Sequence, residues 1–210
     1  MNVCIEPGPG QPALRRSPAP PFYHPLALVD PGATVGPGTR VWAYAHLLPG
    51  SVVGDDCNIC DHTFIEGAVV VGNRVTIKCG VFLWDGITVE DDVFIGPGAT
   101  LTNDMYPRSR QYPSSFAKTV LQCGCSIGAN AVILAGLTIG RWASVAAGSV
   151  VTRNVPAFGL VVGNPARLRS WVCKCGRKLQ LTFPGRTQCT CQRAYRLSST
   201  HVLEEETNGN

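Results

Sequence analysis

The stretch that decides the fold runs from residue 53 to residue 77 and reads VGDDCNICDHTFIEGAVVVGNRVTI. Its aliphatic residues recur every six positions, at Val53, Ile59, Ile65, Val71 and Ile77. An α-helix repeats about every 3.6 residues and a strand every two, so neither element produces this period. A short strand followed by a turn does produce it, because the chain must turn a corner before each new inward side chain.

The same period extends along most of the chain. Thirteen aliphatic residues follow one another without a miss: Val29, Val35, Val41, Leu47, Val53, Ile59, Ile65, Val71, Ile77, Leu83, Val89, Ile95 and Leu101. The pattern then returns in a new register at Leu121, Ile127, Ile133, Ile139, Val145 and Val151. Three strands with their turns make a coil of about eighteen residues, and such coils stack into a parallel β-helix.

We therefore predict an all-β chain whose β-helix has about six coils and spans residues 23–156. The break in register predicts an inserted loop at 102–120 that projects from one edge, and its polar and aromatic residues favour a substrate-facing role over a plain surface loop. The remaining expected segments are a flexible tail at 1–22, a connecting segment at 157–170, a zinc knuckle at 171–197 and a disordered tail at 198–210.

Composition and charge exclude several classes of protein. The chain has 23 Gly and 16 Pro but only 8% aromatic residues, which excludes a helical bundle. It has no run of eighteen apolar residues and no apolar signal core at its start, so we expect a cytoplasmic protein without a membrane partner.

Residues 105–203 contain no carboxylate side chain and hold 13 of the 18 Lys and Arg residues. This excess of positive charge predicts an anionic partner, either a polyphosphate ligand or nucleic acid. The alternative is that the cations are scattered over the surface without a partner.

Several segments narrow the match to a family: Ile59 to Glu66, Val81 to Gly86, Asp92 to Pro97, Thr102 to Asp104, Ser126 to Ala131 and Val162 to Arg167. In these segments and in its hexads, the chain resembles the left-handed β-helix of hexapeptide-repeat acyltransferases. It is most similar to N-acetyltransferases that act on nucleotide-linked 3-amino-deoxysugars. The resemblance implies left-handed coils, acetyl-CoA as co-substrate, a dTDP- or UDP-linked amino sugar as acceptor, and a homotrimer. Where many relatives have Gln-Asn-Asn, this chain has Lys78-Cys79-Gly80.

Four histidines are candidates for proton transfer, because His is the side chain best tuned for it near neutral pH. We favour His62 as the catalytic residue, since it lies in a segment that matches the family, with Glu66 to orient it or to bind substrate. The alternative is a histidine that only caps a corner turn. His46 precedes His62 by sixteen residues, nearly one coil, and is expected beside it in a substrate-binding role. His24 is interpreted as structural, and His201 as part of the tail.

The other expected site residues follow from the resemblance and the charge pattern. Asp85 is a substrate ligand or, equally, a turn residue that bonds the backbone. The resemblance adds substrate-binding roles for Asn103, Asp104 and Arg108. It also implies a cofactor-binding set in which small residues border the pantetheine arm and arginines lie near the phosphates: Ala129, Ala147, Gly148, Arg153, Asn164 and Arg167.

Ten cysteines without a secretion signal argue against a disulfide framework. Cys57 and Cys125 occupy small inward positions of their hexads and are interpreted as core residues. Four others form two C-x-C pairs separated by thirteen residues, after the repeats end: Cys173, Cys175, Cys189 and Cys191. This count suits a tetrahedral structural zinc, the alternative being free thiols on a short hairpin.

Two other function classes remain to be weighed against sugar acetylation. In the first, the zinc knuckle and the basic lobe bind nucleic acid and the β-helix is a scaffold, but no basic motif with interleaved aromatic residues supports this. The second is a γ-carbonic-anhydrase-like metalloenzyme, which needs three histidines around one metal. The four scattered histidines disfavour it. We therefore expect an acetyltransferase without a nucleic-acid partner.

Overall fold

The computed structural model describes residues 19–181, 185–198 and 203–206. Within these ranges no helix is long and apolar enough to cross a membrane. The strands of the described residues are, in chain order, β1 (Phe22–Tyr23), β2 (Leu28–Val29), β3 (Thr34–Val35), β4 (Arg40–Val41), β5 (His46–Leu47), β6 (Val52–Val53), β7 (Asn58–Ile59), β8 (Phe64–Ile65), β9 (Val70–Val71), β10 (Thr76–Ile77), β11 (Phe82–Leu83), β12 (Ile87–Val89), β13 (Phe94–Ile95), β14 (Thr100–Leu101), β15 (Thr119–Leu121), β16 (Ser126–Ile127), β17 (Val132–Ile133), β18 (Thr138–Ile139), β19 (Ser144–Val145), β20 (Val150–Val151), β21 (Gly159–Val162), β22 (Arg167–Trp171), β23 (Gly185–Gln188), β24 (Ala194–Leu197) and β25 (Leu203–Glu206).

Three sheets, parallel except for β22, enclose one core. Sheet 1 has the order β1-β4-β7-β10-β13-β16-β19-β21-β22, sheet 2 the order β2-β5-β8-β11-β14-β17-β20, and sheet 3 the order β18-β15-β12-β9-β6-β3. Successive strands visit the three sheets in turn, and Thr76 pairs with Phe94, eighteen residues on. The predicted parallel β-helix of stacked coils is therefore confirmed.

The core is built from the aliphatic column that the six-residue period predicted. On sheet 1, for example, Val41, Ile59, Ile77, Ile95 and Ile127 are all 0% exposed. Each such side chain contributes about 1.5–3 kcal/mol through burial. Strands of two residues suffice because only the second residue of each points inward.

The turns between sheets form three corners, two of which carry the candidate site. Corner 1–2, between sheets 1 and 2, comprises residues 24–27, 42–45, 60–63, 78–81, 96–99, 128–131 and 146–149. Corner 2–3 follows each strand of sheet 2 and includes the inserted loop. At corner 1–2 the third residue of every turn after the first has a positive φ: Tyr44, His62, Gly80, Gly98, Asn130 and Gly148. Sheet 2 therefore lies between two corners that present side chains to the same side of the stack.

The inserted loop is slightly shorter than predicted. Strand β14 ends at Leu101 and β15 begins at Thr119, so the loop spans 102–118 rather than 102–120. Thr119 is fully buried, which explains why it belongs to the coil. The backbone N–H of Ala117 donates to the carbonyl of Asn103 at 3.1 Å, and this bond ties the two ends of the loop together.

The β-helix extends beyond both predicted ends. Phe22 already pairs with Arg40 in sheet 1, so the first coil begins inside the segment predicted as a tail. Residues 157–170 are not only a connection, because Val161 pairs with Val145 and continues the inward column. Val161 follows Val145 by sixteen residues instead of the eighteen of a regular coil, so the six-residue period did not predict this strand. Strand β22 then folds back antiparallel to β21.

The C-terminal residues form a module with its own antiparallel sheet, β23-β24-β25. The prediction of a disordered tail at 198–210 is wrong for residues 203–206, which are strand β25. Leu203 is 2% exposed and Tyr195 is 0% exposed, so this module also has a small apolar core that the sequence did not suggest. Glu206 pairs with Arg186 at 2.7 Å, and Glu205 pairs with Lys174, so the acidic end neutralises part of the basic segment. The predicted tail residue His201 lies outside the described residues.

Candidate active site and cysteine cluster

The two histidines expected in the site, His46 and His62, line one pocket of about 400 Å³ on sheet 2 and corner 1–2. His62 is exposed at the corner, and its ring stacks on Tyr44 with centroids 4.9 Å apart and planes at 13°. His46 lies on the outer face of β5, where its Nε2 is 3.2 Å from Asp30 Oδ2 and its ring meets Phe64 edge-on. The expectation that the two histidines lie on the same side is therefore confirmed by the geometry.

A second pocket, of about 420 Å³, lies under the inserted loop at corner 2–3. Four of the predicted substrate-binding residues line it: Glu66, Asn103, Asp104 and Arg108. Its walls are completed by loop residues, among them Tyr112 and Phe116. The loop thus encloses carboxylates, an amide, a cation and aromatic rings in one place. This combination suits a ligand that has both an amine and an anionic group.

Hydrogen bonds hold the floor of this second pocket and decide two of the sequence alternatives. The carboxylate of Glu66 accepts the backbone N–H of Asp85 at 2.6 Å, and Glu66 lines the pocket under the loop rather than the pocket of His62, which favours the substrate-binding alternative. Asp85 Oδ1 in turn accepts the N–H of Ala68 at 2.7 Å, and Asn103 Nδ2 donates to the Asp85 carbonyl at 3.0 Å. Asp85 does not line either of the two pockets. The structure therefore favours the backbone-bonding interpretation of Asp85 over the ligand interpretation.

Trp84 borders both pockets and was not singled out from the sequence. Its ring packs against Phe64 and Phe82, with centroids 5.5 and 5.9 Å away. Phe64 and Phe82 occupy the outward positions of β8 and β11, which lie in successive coils of sheet 2, and Trp84 follows β11 directly. An aromatic wall of this kind is the usual apolar lining of a small-molecule site.

The cofactor-binding set divides between corner 1–2 and the C-terminal end of the stack. Ala129, Ala147 and Gly148 lie on the same corner as His62, in the later coils. The backbones approach closely there, since a Cβ on Gly128 would lie 2.4 Å from the N atom of Ala147. This stretch of the corner is therefore smooth and free of large side chains.

The two arginines expected near phosphates, Arg153 and Arg167, line one small pocket of about 120 Å³ at the end of the stack. Both are exposed, and none of the described carboxylates pairs with either of them. Asn164 does not line this pocket and instead precedes a cis peptide bond to Pro165. Two cations without a carboxylate partner at the end of the stack suit a phosphate or diphosphate group.

The four predicted metal ligands come together in the C-terminal module. The sulfur atoms of Cys173, Cys175, Cys189 and Cys191 all lie within 4.8 Å of one another. Two tight turns bring them there, closed by the N–H of Cys173 to the carbonyl of Arg177 at 2.9 Å and by that of Cys189 to Arg193 at 2.8 Å. Sulfur–sulfur distances of 3.4 and 3.6 Å approach the value of about 3.8 Å expected around tetrahedral zinc.

Backbone hydrogen bonds lower the pKa of Cys189 and of Cys191, whereas burial raises the pKa of Cys173. The backbone N–H of Arg193 is the main cause that lowers the pKa of Cys191, to about 6. The hydroxyl of Tyr195 donates to Cys173 Sγ at 3.2 Å, and Arg193 Nη1 donates to Cys191 Sγ at 3.4 Å. The donor set is therefore four sulfurs with surrounding N–H and O–H donors, which suits Zn²⁺.

The two cysteines interpreted as core residues are both 0% exposed. Burial raises the pKa of Cys57 and of Cys125, so both remain thiols. Cys57 Sγ donates to the carbonyl of Gly72 at 3.1 Å. Cys57 and Cys125 therefore belong to the core of the stack, as predicted.

Comparisons with known proteins agree with this architecture. A model of the bacterial transferase hexapeptide family (six repeats) matches residues 32–67 and 118–153. A relative from Aneurinibacillus thermoaerophilus, dTDP-3-amino-3,6-dideoxy-alpha-D-galactopyranose 3-N-acetyltransferase, is 50% identical over 183 residues. The alignment covers 87% of this chain and 94% of the relative.

Two solved structures share the fold. A hexapeptide-repeat-containing acetyltransferase from Vibrio cholerae O1 biovar eltor, solved with acetyl coenzyme A, has a TM-score of 0.51 and 32% identity, covering 58% of this chain and 70% of that chain. UDP-N-acetylglucosamine acyltransferase from Campylobacter jejuni has a TM-score of 0.51 at 16% identity, covering 71% and 74%. With the 50% identical relative, these findings show that the chain belongs to the hexapeptide-repeat acyltransferase family.

Proposed function

We propose that this protein transfers the acetyl group of acetyl-CoA to the amino group of a nucleotide-linked amino sugar. One observation carries the proposal: the 50% identity, over 87% of the chain, to an enzyme named for the 3-N-acetylation of dTDP-3-amino-3,6-dideoxy-galactopyranose. The pocket chemistry described above supports the same reaction. A dTDP-linked 3-amino-deoxysugar is therefore the first substrate to test.

The pocket under the inserted loop suits the acceptor. Glu66 and Asp104 offer carboxylates to an ammonium group or to sugar hydroxyls. Arg108 offers a planar cation to a diphosphate, and Tyr112 and Phe116 offer faces to a pyrimidine base. A nucleotide-linked amino sugar carries all of these groups.

His62 suits the proton transfer. The amine nitrogen must lose a proton as the amide bond forms and the thiol leaves, and a neutral imidazole accepts it near pH 7. The stack on Tyr44 fixes the plane of the ring, and the exposed corner position leaves both nitrogens open to a ligand. His46, in the same pocket, is held by Asp30 and suits a binding role.

Corner 1–2 suits the donor. The pantetheine arm fits along the small residues Ala129, Ala147 and Gly148, with the diphosphate near Arg153 and Arg167. When bound, acetyl-CoA supplies the activated thioester carbonyl. This chain's residues would bind its phosphates and hold the arm in an extended conformation.

We also propose a homotrimer and one structural zinc. The outer face of sheet 3 exposes Val52 at 39% and Val70 at 46%, an apolar surface that a neighbouring stack would cover. Light scattering should return three times the 22.4 kDa chain mass. Elemental analysis should return about one zinc per chain, because four sulfurs complete the tetrahedral shell and leave no open position for catalysis.

The nucleic-acid alternative loses part of its basis, because Glu205 and Glu206 pair with cations of the basic module.

Steady-state thiol release from acetyl-CoA with the dTDP-linked 3-amino sugar tests the proposal, with the 3-hydroxy sugar nucleotide as the control. Release only with the amino sugar supports it. No release with any dTDP- or UDP-linked amino sugar, together with salt-dependent oligonucleotide binding, would overturn it.

A further inference from the structure

Two cysteines, Cys60 and Cys79, lie in successive coils at corner 1–2, apart from the cysteine cluster and without a role in the proposed reaction. Cys60 is the first residue of its turn and is 8% exposed, whereas Cys79 is the second residue of the next turn and is exposed. Both are free thiols. His62 follows Cys60 by two residues in the same turn. A reaction between the two sulfurs would therefore alter the turn that carries His62.

The coil repeat makes these two residues neighbours. The backbone N–H of Cys60 donates to the carbonyl of Ile77 at 2.9 Å, and the N–H of Gly80 donates to the carbonyl of Asp61 at 3.1 Å. These two bonds place Cys60 and Cys79 diagonally on adjacent chains. With about 4.8 Å between adjacent chains and a rise of about 3.3 Å per residue, the two Cα atoms are about 6 Å apart, which lies within the range of about 4.4–6.8 Å that disulfides span.

A later turn of the same corner shows how closely such positions approach. A Cβ on Gly128 would lie 2.4 Å from the N atom of Ala147 in the next coil. Gly128 has the position of Cys60 in its turn, and Ala147 has the position of Cys79. Cys60 therefore carries a side chain at a crowded position, and the Cys79 side chain lies close enough to hydrogen-bond its thiol.

Hydrogen bonds hold the buried sulfur in place. Asn58 Nδ2 donates to Cys60 Sγ at 3.2 Å, and Asn58 Oδ1 accepts the indole N–H of Trp42 at 2.9 Å. Burial is the main cause that raises the pKa of Cys60, so this residue remains a thiol. The exposed Cys79 is the sulfur that a reagent in solution reaches first. The two cysteines thus differ in the way that an attacking and a resolving thiol differ.

We propose that a low-molecular-weight disulfide oxidises Cys60 and Cys79 to an intramolecular disulfide, and that this bond reversibly lowers acetyl transfer. In the first step, the Cys79 thiolate attacks one sulfur of the small disulfide, whose S–S bond breaks and releases one thiolate. Cys60 then loses its proton to solvent, and its sulfur attacks Cys79 Sγ and displaces the second small thiolate. The protein gives up two electrons and two protons, and the small disulfide becomes two thiols.

The bond would act on the reaction through His62. An S–S bond is about 2 Å long, which is shorter than any contact between two thiols, so its formation draws the two turns together. It also takes Cys60 Sγ away from the Asn58 amide. A catalytic group misplaced by about 1 Å can lower turnover about 10²-fold. The effect on turnover rests on the proposed function, whereas formation of the disulfide does not.

Peptide mapping and turnover, measured on the same samples of the zinc-loaded wild-type protein after incubation with oxidised glutathione, test the proposal. We expect linked peptides that contain Cys60 and Cys79, and a kcat lowered about tenfold or more that dithiothreitol restores. Absence of the linked peptides, or their formation without a loss of kcat, would overturn the proposal. A reduced protein without turnover would overturn the proposed function and the regulatory half of this inference, whereas the linked peptides would still support the thiol pair.

Variants separate this pair from the other cysteines. In Cys60→Ser, glutathione should stay attached to Cys79, because no second sulfur displaces it. Cys79→Ser should form no linked peptides at this corner and should keep its kcat after the same treatment. Cys125→Ala removes a buried thiol of the core and is the matched control, which should be linked and inhibited like the wild type. A loss of kcat in Cys79→Ser equal to that of the wild type would overturn the assignment.

Discussion

The stacking of Tyr44 on His62 allows a test of whether Tyr44 keeps the His62 imidazole in its reactive orientation. Both residues occupy the positive-φ position of corner 1–2 in successive coils, at φ values of 59° and 58°. Their ring centroids are 4.9 Å apart and the planes differ by 13°. An aromatic pair contributes about 0.5–1.5 kcal/mol beyond area burial, and Tyr44 is 55% exposed, so the lower half of that range applies.

Tyr44→Ala should therefore lower kcat by about threefold to fivefold, because the imidazole spends less time in the reactive orientation. The KM for acetyl-CoA and the melting temperature should stay near the wild-type values, since the residue is exposed and alanine adds no strain that tyrosine does not already carry. Tyr44→Phe keeps the ring and is the matched control. The measurements are kcat and KM at saturating acceptor. Full kcat in Tyr44→Ala, or an equal loss in Tyr44→Phe, would refute the positioning role.

The remaining predictions concern the proton acceptor, the core and the metal. His62→Ala should lower turnover by about 10² or more with an unchanged circular dichroism spectrum, and near-normal turnover would show that another group takes the proton. Ile95→Ala removes a fully buried side chain and should lower the free energy of unfolding by about 2–5 kcal/mol, whereas Val162→Ala, at a position 38% exposed, should cost less than about 1 kcal/mol; equal losses in urea unfolding would contradict the account of the core. Replacing Cys173 and Cys189 together by Ser should abolish bound zinc, and unchanged metal content would sink the assignment of the cluster.

The fold could be predicted because the inward side chains of a β-helix are aliphatic residues at a regular spacing of six positions in the sequence. Every aliphatic residue of the thirteen-member series ends or lies within a strand. The prediction failed where the spacing changed, as at Val161, which follows Val145 by sixteen residues. It also failed at β25, because a strand of Leu203 and three glutamates has no apolar pattern; Glu205 and Glu206 pair there with Lys174, Arg193 and Arg186 from other parts of the module.

The site was only partly predictable. The two histidines were expected together because sixteen residues is nearly one coil, and they do share a pocket. The functions of Glu66 and Asp85 depend on which backbone N–H each carboxylate reaches, and no spacing rule gives that.

The most direct test of the account is the chemical identity of the product. The purified protein is incubated with acetyl-CoA and dTDP-3-amino-3,6-dideoxygalactose, and the product is examined by mass spectrometry and by NMR of the sugar. The account predicts one added acetyl group, bound to the amino nitrogen through an amide, and none in the same reaction with His62→Ala at matched times. An unmodified sugar nucleotide, or an acetyl group carried as an ester on a hydroxyl, would contradict it.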